Sequence, residues 1–154
     1  MLDDILDEEI RKNGIKLETY PFRADINALT VGKTILLNSS LDNTAQKNAV
    51  KAHELGHQNT CVINLLHAEK HIQNKYEYVA DRWATLKVMP VEKLLQGYRM
   101  GLRTYEEFCD FLEIDQPFFL RGLSVFSNIY GNYCIKDGCL IRFDPLNIDT
   151  FTAI

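Results

Sequence analysis

The residues best equipped for chemistry stand together at His53-Glu54-Leu55-Gly56-His57, an HExxH pattern. On an α-helix, side chains four positions apart share one face, a turn apart, so both imidazoles can reach a single ion. Glu54 lies about 100° around the same helix and can sit beside that ion. Two imidazole ligands with an adjacent carboxylate suit a zinc hydrolase, in which Glu54 takes the proton from an attacking water. The plain alternative is a helix that merely carries two surface histidines.

Catalytic zinc usually takes three protein ligands and leaves one position open. Glu77 is the candidate for the third. In EYVADRWA, Asp81 follows Glu77 by one turn and shares its face. Glu77 can therefore bind the metal while Asp81 accepts an N–H from a ligand histidine and fixes its ring. Spacing alone equally allows Glu77 and Asp81 to be a solvated acidic stripe. His67 and His71 form a rival pair four apart, but no glutamate directly follows the first, and Glu69, Lys70 and Gln73 mark an exposed segment. For an oxyanion or substrate contact the candidate donors are Tyr76, His67, His71 and Tyr130, and the sequence does not choose among them. Two imidazoles and a carboxylate accept Zn²⁺ first, and Mn²⁺ or Fe²⁺ as well.

These groups need elements to hold them. A helix is expected over residues 3–13, ending near Asn13-Gly14, and a loose strand over 15–22 closed by Pro21. INALTVGKTILLN reads as a β-hairpin about Val31-Gly32-Lys33. The metal helix should run over 44–58, capped by Asp42, Asn43 or Thr44. Along it Ala45, Ala49, Ala52 and Gly56 form a small-residue stripe. Gly56 costs about 1 kcal/mol against alanine in mid-helix, so a close approach by another element is expected there. Residues 59–74 are ambiguous. A further helix opens near Asn74 and ends at Pro90, with Val79, Ala80, Trp83, Ala84 and Leu86 at helical spacing. VEKLLQGYRMG, TYEEFCDFLEI and a segment from Asp115 continue as helices. CIKDGCLIRF reads as a hairpin about Asp137-Gly138, and the tail carries little pattern.

At 154 residues, with 46% hydrophobic and 25% charged residues, the chain has the makings of one ordinary globular domain. A net charge of -4 offers no footprint for nucleic acid. The start, MLDDILDEEI, is acidic and amphipathic, unlike a signal or transit peptide, and no apolar run approaches the roughly 20 residues that span a bilayer. A cytoplasmic protein without membrane contact is expected. Cys61, Cys109, Cys134 and Cys139 form no CxxC pair; Cys134 and Cys139 flank a turn and are expected as free thiols in a reducing compartment, with a disulfide as the alternative. TYEEFCDFLEIDQPFFLRGL has a helix-turn-helix outline, but Glu106, Glu107, Asp110, Glu113 and Asp115 against Arg121 are wrong for a phosphate backbone, so a packing role is expected, with a partner-docking surface as the alternative.

With Ala52-His53-Glu54-Leu55-Gly56-His57 and the later Asn74-Lys75-Tyr76-Glu77-Tyr78-Val79-Ala80-Asp81-Arg82-Trp83-Ala84 both in view, the chain resembles the ImmA/IrrE family of zinc metallopeptidases over about residues 15–130. The resemblance implies Glu77 as the third ligand, with Asp81 where the family often has asparagine. It also implies an antirepressor of the prophage or mobile-element type, which cleaves a helix-turn-helix repressor. The expected fold is α+β and zincin-like, a small and largely antiparallel sheet over two metal-binding helices, with a helical C-terminal part. Its single metallopeptidase domain, 1–154, would comprise a catalytic core (1–90), a helical subdomain (91–128) and a C-terminal hairpin (129–146). The strand Thr34–Asn38 is expected either to offer a free edge to an extended substrate or to lie paired inside the sheet. Two other functions use the same residues: a metal-containing binding protein that inactivates a repressor without cleavage, and an amide hydrolase with a different substrate.

Overall fold

The structure, a computed structural model, describes residues 1–61 and 67–151. Among these the order is α1 (Leu2–Lys12), β1 (Lys16–Tyr20), β2 (Ala28–Val31), β3 (Thr34–Asn38), α2 (Thr44–Thr60), α3 (Lys70–Val88), α4 (Val91–Arg99), α5 (Tyr105–Leu112), α6 (Gln116–Tyr130), β4 (Cys134–Lys136), β5 (Cys139–Phe143) and β6 (Leu146–Thr150). The protein is mixed α+β, with six helices and two three-stranded sheets among the described residues.

The N-terminal sheet is mixed rather than largely antiparallel. Its order is β1-β3-β2, with β1 parallel and β2 antiparallel to β3. TILLN takes the centre, where both neighbours shield it; Ile35 and Leu37 are buried. The expectation of a free edge on this strand therefore fails, and its alternative, pairing inside the sheet, holds. The free edge near α2 belongs to β2. Delivery of β2 to the far side of β3 from β1 is organised by Asn38, a buried side chain at the end of β3. Its Nδ2 donates to the carbonyls of Phe22, Arg23 and Ile26 at 3.2, 2.9 and 2.7 Å, which pins the crossover loop to the end of β3.

Helix α2 starts at the Asn43 cap, whose side chain accepts from the Gln46 N–H. It packs along α3, and both rest on a core that runs from Leu6 and Ile10 of α1 through Ile35, Leu55 and Ala84 to Phe119, Phe126, Ile141 and Phe143. The opposite side of α2 presents Lys51, whose buried ammonium lies 2.7 Å from both Asp3 and Asp7 of α1. Helix α3 begins at Lys70, a turn earlier than expected, so it already includes His71; Leu86, expected on its apolar face, is exposed. The ambiguous stretch 59–74 falls partly on residues 62–66, outside the described residues.

The C-terminal hairpin is β4 and β5, and the patternless tail adds a third antiparallel strand, β6. Only Ile148 of β6 is buried, which leaves too short an alternation to stand out in sequence. Cys134 pairs across the ladder with Ile141, not with Cys139, and all four cysteines are free thiols. Burial first, then the nearby Asp115 and Asp110, pushes the Cys109 thiol up to about 11, so it behaves as a small core side chain.

Candidate metal centre

Three elements build the site. Helix α2 supplies His53, Glu54 and His57; α3 supplies Glu77 and Asp81; β2 supplies Thr30. The two helices meet closely because Gly56 has no side chain. A Cβ there would lie 2.9 Å from the Cα and carbonyl carbon of Ala80, and nearer still to its oxygen. The small-residue stripe thus lets the two helix backbones approach where the sequence singled out Gly56. That approach brings Glu77 over the histidines.

The geometry is convergent. The Nε2 atoms of His53 and His57 are 3.1 Å apart. Glu77 Oε2 lies 2.8 Å from His53 Nε2, and Oε1 lies 3.1 Å from His57 Nε2. A tetrahedral zinc with bonds of about 2.0–2.1 Å sets its ligand atoms roughly 3.3 Å apart, so this donor set has the size and chemistry for such an ion. His53, His57 and Glu77 form a group that could hold a metal. Both histidines are mostly buried, whereas the Glu77 side chain is 52% exposed, which leaves the group open to solvent on the carboxylate side.

Asp81 Oδ1 lies 2.8 Å from His53 Nδ1. An Nδ1–H donated to Asp81 leaves the Nε2 edge of the ring facing Glu77 and His57, the arrangement that would fix a ligand histidine's ring orientation. Arg121 of α6 approaches the same oxygen, its Nε 3.5 Å away. Sequence reasoning weighed Arg121 only against phosphate binding; its contact with Asp81 depends on how α6 packs on α3 and has no local signal. Thr30 was also missed. Its hydroxyl donates to Glu54 Oε2, across from β2 to α2. Beside it, Gln58 Nε2 donates to the Gly32 carbonyl at 2.6 Å, so the β2–β3 hairpin is tied to α2 twice.

Electrostatics follow from this crowding. Burial works against charge on His53, but hydrogen bonds to Asp81 and Glu77, with the charges of Asp81 and Glu54, prevail and raise it to about 10. Hydrogen bonds from His53 and His57 hold the Glu77 carboxyl well below the usual carboxylate range, against the opposing effect of its partial burial. The carboxylates of Glu77, Asp81 and Glu54 thus gather around His53 and favour positive charge there.

The remaining candidates lie elsewhere or stand apart. His67 is exposed ahead of α3, and His71 pairs on the surface with Glu69 at 3.3 Å. Tyr130 stacks on Phe143, with ring centroids 5.7 Å apart, as part of the packing between α6 and the second sheet. Tyr76 is half-buried, next to Glu77 in the chain. No helix of the described residues is long and apolar enough to cross a membrane. No protein-family model matches the sequence, and no curated protein matches it.

Proposed function

We propose that the protein is a zinc-dependent metalloendopeptidase on a zincin-like fold, acting on a helix-turn-helix repressor in the cytoplasm. The observation that carries this reading is the convergence of His53 Nε2, His57 Nε2 and the Glu77 carboxylate beside a glutamate directly following the first histidine. His53, His57 and Glu77 would hold Zn²⁺, and the same donors accept Mn²⁺ or Fe²⁺. When bound, the ion supplies a Lewis acid that polarises a carbonyl and acidifies water. Glu54 takes the proton from the attacking water and delivers it to the leaving amine. Asp81 keeps the His53 ring oriented throughout.

The free edge of β2 supports a polypeptide substrate. It runs beside Glu54, and its outward N–H and C=O groups can pair with an extended chain. The half-exposed Glu77 supports the same reading, because a closed cavity would suit a small molecule instead. The repressor as substrate class, and an antirepressor role in a prophage or mobile element, rest on the resemblance of the two motifs to the ImmA/IrrE family.

The direct test is co-expression with a helix-turn-helix repressor encoded beside this gene, comparing wild type with Glu54→Gln. Shortening of the repressor with the wild type alone is the expected result. An intact repressor that loses its operator with both proteins would instead establish inactivation without cleavage.

A further inference from the structure

We propose that Thr30 is the positioning residue for Glu54, so that the edge strand open to substrate also fixes the proton acceptor; this rests on the peptidase reading above. Glu54 is buried, yet among the described residues its carboxylate receives one hydrogen bond, from Thr30 Oγ1. A glutamate has three side-chain torsions, and a carboxylate with no oxygen fixed samples several rotamers. With Oε2 held by Thr30, the other oxygen serves the proton. Thr30 is suited to this by its place in the pleat. Alternation along β2 turns Leu29 and Val31 to solvent and Thr30 toward α2. The strand cannot drift from the helix, because Gln58 also grips the carbonyl of Gly32. A misplacement of about 1 Å in a reacting group can cost 10²-fold in rate. The position of the base thus depends on β2, and substrate pairing along that strand acts directly on the element that sets it.

The test uses the zinc-loaded full chain with Thr30→Val, which keeps the β-branched shape and deletes the hydroxyl, and Thr30→Ser, which restores it. On the cleaved repressor, Thr30→Val should lower kcat by about 10–100-fold with KM and zinc affinity within about twofold, and Thr30→Ser should recover most of the loss. Full kcat in Thr30→Val, or a Thr30→Ser variant as slow as the valine one, would overturn the proposal. A readout independent of turnover is a cycle of melting temperatures in the metal-free protein, combining Thr30→Val with Glu54→Ala. The destabilisation by valine should shrink when Glu54 is absent; an equal drop in both backgrounds would mean that Thr30 serves the strand and not the base. A wild type that binds zinc but cleaves nothing overturns the peptidase reading and the catalytic role of Thr30 together, whereas an active wild type with an unimpaired valine variant overturns the role of Thr30 alone.

Discussion

Gly56→Ala separates helix propensity from helix packing. Propensity alone predicts a gain of about 1 kcal/mol, since alanine is the better helix former. The structure predicts the reverse. The new Cβ would meet the Cα and carbonyl carbon of Ala80 at 2.9 Å, with the Ala80 oxygen closer still, and all three are backbone atoms that no rotamer change can move aside. Carbon atoms in contact sit about 3.5–4.0 Å apart, so α2 and α3 must part by roughly 1 Å at their crossing. Overpacking of this kind costs about 1–3 kcal/mol, and a backbone obstacle belongs at the upper end; set against the propensity gain, the net loss is about 1–2 kcal/mol. That corresponds to a fall in Tm of about 2–8 °C for a chain of this size. The site should suffer too. His57 follows Gly56 directly, and Glu77 sits one turn before Ala80, so parting the helices lengthens the 2.8 and 3.1 Å separations between Glu77 and the imidazoles. A penalty of about 1.4 kcal/mol at one ligand is a tenfold loss of metal affinity. The assay pairs thermal melts with and without zinc, where bound ion raises Tm by mass action, with chelator competition for the affinity itself. A Gly56→Ala variant that melts at or above the wild-type temperature and binds zinc equally well would refute the claim that this glycine sets the distance between α2 and α3.

Further outcomes follow from the same geometry. Glu77→Ala should lower zinc affinity by more than about 100-fold and Asp81→Ala by about 10–100-fold, the range for partners that orient a ligand histidine; unchanged affinity in Glu77→Ala would send the search for a third ligand to Asp81. Zinc affinity should rise with pH up to about 10, because the ion must displace the proton that the raised His53 holds below that value, and a flat profile in chelator competition would contradict that exchange. In the metal-free protein the raised His53 value contributes stability that is fully present below about pH 6.5 and is lost as pH rises through about 10, so Tm should fall in the alkaline range and do so less in Asp81→Asn. Phe126→Ala, fully buried where α6 meets β5, should cost about 3–5 kcal/mol in denaturant unfolding without changing which residues bind metal.

What was legible in the chain was what lies within one or two turns of itself. The pair His53 and His57, the following Glu54, and the pair Glu77 and Asp81 are all i to i+1 or i to i+4 relations on helices, and helix geometry turns such spacing into a shared face wherever it occurs. The need for a close approach at Gly56 was legible for the same reason, as a glycine where propensity forbids one. The tertiary structure decided everything that depends on which distant segments meet. A run such as TILLN announces a buried strand but not its neighbours, since the period of two is the same beside a parallel or an antiparallel partner; placing it at the centre moved the free edge to β2. The hydroxyl of Thr30 on Glu54 and the guanidinium of Arg121 near Asp81 join residues whose local sequence carries no mark of the other, because loop closure and packing, not spacing, bring them together. The candidate ligand types were written in the sequence, but their convergence to about 3 Å was set by the packing of α3 against a glycine.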